Sequence, residues 1–110
     1  MEDKYQPIRD LIAKFDTYGG RIVNNTATSK HYIGLNNDMH MLNLDTLMLS
    51  VYARNGFEDW EDFRNHRRIA KNYDRNVAAT IGGIKGTIDG VCILLYRKIS
   101  EAQFKDSLNS

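Results

Sequence analysis

Behind Pro7, the apolar residues Ile8, Leu11, Ile12, Phe15 and Tyr18 step by 3, 1, 3 and 3 positions. Only a helix gathers such a set on one side, where it forms a stripe that other parts of the chain must cover. Pro7 suits the first turn, since proline's missing N–H has no helical partner there anyway. Gly19-Gly20 then offers the left-handed conformation in which helices commonly end. The spacing predicts a core-facing helix from Pro7 to about Tyr18. A chain of 110 residues, 42% hydrophobic and 26% charged, has room and material for one packed core, so a single domain over 1–110 is expected.

From Arg21 to Leu44 the period changes. Arg21-Ile22-Val23 is short and β-branched, and Asn24 to Ser29 is a polar turn cluster. His31-Tyr32-Ile33-Gly34-Leu35 and Met39-His40-Met41-Leu42 flank Asn36-Asn37-Asp38, whose residues tolerate the left-handed backbone of a tight turn. That segment predicts a hairpin. Asp45 follows as an expected N-cap, with Leu47, Met48, Val51 and Tyr52 facing inward on a helix that stops at Asn55-Gly56. The next helix is expected from about Glu58 to Ile81, anchored by Trp60 and Phe63. Its continuation through Ile84, Ile88, Val91, Leu95 and Ile99 meets Gly82, Gly83, Gly86 and Gly90, each costing about 1 kcal/mol inside a helix. A break near Gly82-Gly83 is expected, with Thr87 to Tyr96 either helix or buried strand, and Ser100 capping a last short helix. The fold class is a predominantly helical α+β domain, with about four helices and a small β-hairpin or meander near 21–44. An all-α arrangement is the alternative.

Several chemistries fail on residue type or spacing. The lone Cys92 excludes an intramolecular disulfide and a cysteine-based zinc site, and its neighbours Val91, Ile93, Leu94 and Leu95 predict burial rather than a reactive thiolate. His31, His40 and His66 lack the short fixed spacings of a ligand set, so no metal is expected. Gly83-Ile84-Lys85-Gly86 lacks the lysine-serine or lysine-threonine pair that ends a P-loop, and no cofactor is expected. The apolar window Val77 to Tyr96 is interrupted by Lys85 and Asp89, which are costly at a bilayer centre, so no membrane partner is expected either. The polar start and single cysteine fit a reducing, cytoplasmic compartment.

What remains is charge. The expected helix from Glu58 carries Glu58, Asp59, Glu61 and Asp62 in its first turn, complementing the helix dipole. Beyond them, Arg64, Arg68, Lys71 and Arg75 step by 4, 3 and 4, a ridge that repels itself by a few tenths of a kcal/mol per pair. Such a ridge suggests an acidic partner. An acidic protein surface is the first expectation and a nucleic-acid backbone the alternative, because the chain's net charge of +1 decides nothing. The helices joined at Asn55-Gly56 resemble a helix-turn-helix in outline. Four carboxylates at the start of the second helix disfavour ordinary major-groove reading. Gly82, Gly86 and Gly90 recur every four residues after Ala78, so on a helix they would allow close approach of a second copy in a homodimer.

The expected function is that of a small, non-enzymatic regulatory protein acting through Arg64, Arg68, Lys71 and Arg75. An enzyme whose site is assembled only in three dimensions is the second alternative. Ten asparagines against one proline give a composition similar to that of small phage and mobile-element accessory proteins. That resemblance implies a host factor as the target to be inhibited.

Overall fold

The stripe behind Pro7 does form a helix, and the helix outlasts the glycine pair expected to end it. The computed structural model describes residues 3–109, which form five helices and no strand: α1 Gln6–Val23, α2 Ser29–Met41, α3 Asp45–Arg54, α4 Trp60–Ile69 and α5 Arg75–Leu108. In α1 the buried set Ile12, Phe15, Tyr18 and Ile22 continues the helical period through Gly19-Gly20. Gly19 is turned toward α5, where an added Cβ would lie 3.4 Å from Lys85 Cδ and 3.6 Å from Ile88 Cγ2. A small residue lets the two helices close up, and that packing overrides its stop signal. The helix ends instead at Asn25, whose φ of 58° is left-handed, with the Thr26 N–H donating to Arg21 O.

The expected hairpin is one helix, α2, and the fold among the described residues is all-α rather than α+β. Tyr32, Leu35 and Met39 are buried at helical spacing, which a pleated strand would have divided between two faces. The helix begins with an extended Thr28, whose N–H donates to His31 Nδ1. Asn36-Asn37-Asp38 adopts no turn because Asp38 has a tertiary partner: Tyr18 Oη donates to it at 2.7 Å. Burial and that bond raise the Tyr18 phenol to about 12. Gly34 makes the contact possible, since a Cβ there would fall 2.8 Å from Tyr18 Oη. The left-handed turn comes later, at Asn43 with φ 59°.

In α3, Met48, Val51 and Tyr52 are buried while Leu47 stays exposed, and Asp45 is the first helical residue rather than the cap. Gly56, at φ 87°, closes the α3 end as expected. The long helix expected from Glu58 to Ile81 is broken over residues 70–74. Asp74 caps a new helix by accepting the Val77 N–H at 3.0 Å, and its other oxygen meets His66 Nε2 at 2.7 Å, which locks the turn. From Arg75 the chain then runs unbroken past Gly82-Gly83 and Ser100. Ile84, Ile88, Val91, Leu95 and Ile99 are all buried along it. Each contributes about 1.5–3 kcal/mol, which outweighs about 1 kcal/mol lost per helical glycine. The 34 residues of α5 set the 58 Å long axis of the molecule. α1 lies antiparallel along its C-terminal part, α3 packs on its N-terminal part, and α2 bridges α1 and α3.

Candidate functional site

The break between α4 and α5 divides the basic residues that a continuous helix would have aligned. Arg64 and Arg68 stand one turn apart on α4, Lys71 lies in the connecting turn, and Arg75 opens α5. They therefore form two groups rather than one ridge.

The first group faces inward, into a cleft of about 380 Å³ where the α1–α2 turn meets α4. Arg64, half-buried, donates to Ser29 Oγ at 2.7 Å. Arg67, absent from the expected ridge, donates to Ile22 O and, at 3.4 Å, to Val23 O. It covers carbonyls at the C-terminal end of α1, where Ile22 O also accepts the Asn25 N–H, as a cation at a helix C-terminus should. Arg68, Asn25 and Asn65 also border the cleft, and Tyr32 forms part of its wall. Burial raises the Tyr32 phenol, opposed by the charges of Arg67 and Arg64. Tyr32 is in turn held by stacking on Trp60, with ring centroids 5.3 Å apart.

The second group faces solvent at the corner where α4 gives way to α5. Arg68, Lys71 and Arg75 are exposed and make no hydrogen bond or ion pair among the described residues. Two apolar side chains stand beside them, Ile69 at 69% and Tyr73 at 84% exposed. The corner's backbone is held by the His66–Asp74–Val77 chain of bonds. The His66 hydrogen bond, then the Val77 N–H, keep the Asp74 carboxyl below the usual carboxylate range. Two of the four acids at the other end of α4 are occupied locally: Asp59 accepts the Asp62 N–H at 2.9 Å, and Asp62 accepts the Glu58 N–H at 3.0 Å.

The remaining candidates lie elsewhere. His31 is part of the α2 start, His40 meets Asp45 at 3.3 Å, and His66 meets Asp74; no group of three or more metal-ligating side chains occurs among the described residues. Cys92 is buried with Sγ 3.7 Å from Asp16 Oδ1, and burial raises its thiol to about 11. Gly82, Gly86 and Gly90 form a strip of α5 with open space where each Cβ would stand. By length and composition α5 could cross a bilayer; Ile84, Ile88, Val91 and Leu95 lie in the bundle core, while Ile93, Leu94 and Tyr96 are exposed and only a third of the most apolar window is buried.

Arg67's role was invisible in the sequence, because its partners Ile22 and Val23 stand more than forty residues away. No protein-family model, curated protein or solved structure matches the chain.

Proposed function

We propose that this protein is a non-enzymatic interaction protein that docks an acidic protein surface on the corner between α4 and α5. The supporting observation is the exposure of Ile69 and Tyr73 beside Arg68, Lys71 and Arg75, cations without partners among the described residues. Tyrosine and arginine are enriched among the residues that dominate binding energy at protein interfaces, and a purely electrostatic phosphate track has no use for an isoleucine. A backbone tied by His66 and Asp74 presents these side chains with little ordering left to do on binding.

The test is affinity capture from the source cell with the native chain and with a Lys71→Glu, Tyr73→Ala, Arg75→Glu variant. All three residues are exposed, so the circular dichroism spectrum should not change. The expected result is a protein that survives nuclease treatment, is retained by the native chain and is lost with the variant. Retention unaffected by the variant would overturn the proposal. Loss of all partners on nuclease treatment, together with DNA or RNA affinity that falls steeply with salt, would favour the nucleic-acid reading instead.

A further inference from the structure

We infer that the arginine-lined cleft between the α1–α2 turn and α4 binds a dianionic phosphoryl group, the head of a phosphate monoester. The inference goes beyond the docking corner, with which it shares only Arg68.

Charge carries the argument first. Arg64, Arg67 and Arg68 border one cleft, no aspartate or glutamate lines it, and none of the three forms an ion pair among the described residues. Every other lining residue is neutral, and the Asn25 and Asn65 amides add uncharged donors. Guanidinium groups so placed, two of them partly withdrawn from water, are stabilised by an anion that the chain itself does not supply.

Geometry comes second. Arg64 is fixed by Ser29 and Arg67 by the α1 carbonyls, so neither has to be ordered when a ligand arrives. A guanidinium has five N–H donors in a rigid fork; Arg64 uses one on Ser29, and Arg67 uses two on the α1 carbonyls besides its hydrogen bond with the Tyr32 hydroxyl. The donors left over suit the several oxygens of a phosphoryl group. The carbonyl end of α1, which would repel an anion, is the group that Arg67 already covers.

Size and charge then separate the possible anions. A cleft of about 380 Å³ lies at the low end of small-molecule pockets, which suits a phosphoryl group with a small attachment rather than a polymer strand. A carboxylate also fits an arginine fork, but it brings one negative charge to three uncompensated cations where a phosphate monoester brings two.

The test is an amide NMR titration with inorganic phosphate and with phenyl phosphate, using acetate at equal ionic strength as control. We expect saturable shifts at Asn25, Ser29 and Asn65 with both phosphates. Binding should weaken below about pH 6, where the second phosphate proton returns. Arg64→Gln and Arg68→Gln should each weaken binding about tenfold or more. Arg68→Gln keeps the test decisive, since Arg68 is exposed and makes no bond among the described residues, so its loss should leave the fold intact. Absence of saturable shifts, acetate binding as tightly as phosphate, or Arg68→Gln binding like the native chain would each overturn the inference. A Lys71→Glu, Arg75→Glu chain should retain phosphate binding, which separates failure of the cleft from failure of the corner. Loss of binding in that chain would place the anion on the corner and overturn the cleft.

Discussion

Gly82 and Gly83 are neighbours on the same long helix, yet alanine should act on them in opposite directions. A Cβ at Gly82 meets nothing within 4 Å, whereas one at Gly83 falls 2.8 Å from Val51 Cγ1 on α3. Val51 is 5% exposed, and a valine in a helix keeps one χ1 rotamer about nine times in ten, so its methyl cannot swing aside cheaply. Both substitutions gain the same helix propensity, about 1 kcal/mol. Only Gly83→Ala also overpacks a contact between helices, at about 1–3 kcal/mol. Their difference therefore isolates the contact: Gly82→Ala should stabilise the domain and lie about 1–3 kcal/mol above Gly83→Ala. That is a gap of about 4 °C or more in Tm for a domain of this size. Urea denaturation at constant m value measures it, with Gly20→Ala, also unobstructed, as a control on a different helix. Val51→Ala should relieve the clash, so that the Gly83→Ala penalty shrinks in that background. Equal stabilities for the two alanine variants, or a Gly83→Ala effect indifferent to Val51, would refute close α3–α5 packing as the reason this glycine is tolerated.

Two more outcomes follow from buried groups. Tyr52 is 1% exposed and its hydroxyl is buried without a partner; burial raises its pKa. Tyr52→Phe removes that unpaired group and should leave stability unchanged or raise it by about 1–3 kcal/mol in chemical denaturation, while a clear loss would mean that the hydroxyl is bonded after all. The Cys92 thiol, raised to about 11 by burial and then by the Asp16 carboxylate, holds little thiolate at pH 8, and the residue is only 6% exposed. An aromatic disulfide reagent should leave the folded chain unmodified at that pH and take up one equivalent once urea unfolds it. Immediate stoichiometric reaction of the folded chain would contradict the placement of Cys92 in the core.

The elements that could be read from the sequence are those whose signals are local. The α1 stripe, the inward Met48, Val51 and Tyr52 of α3 and the Gly56 stop depend on neighbours within a few positions, and the structure keeps them, while Leu47, expected among them, is exposed. Misreadings arose where a distant partner outvoted a local preference. Asn36-Asn37-Asp38 has turn chemistry, but Tyr18 reaches Asp38 only when that segment is helical and Gly34 leaves room for the ring. Gly19 reads as a helix stop and Gly83 as a break because glycine is costly in an isolated helix; in the bundle these two, and Gly34 of the expected hairpin, are where two elements come close.

The basic residues follow the same logic. Spacing of 4, 3 and 4 implies one face only while the helix is continuous, and Asp74 ends that continuity by capping a new helix and holding His66. What looked like one ridge thus separates by burial into two groups with different capacities. Arg64, joined by Arg67, is anchored in a cleft and suited to one small anion, while Lys71 and Arg75 stand free beside Ile69 and Tyr73 and suit a broad surface. Arg68 borders both. Substitutions limited to Arg64, or to Lys71 and Arg75, should separate the two, whereas changing Arg68 affects both at once.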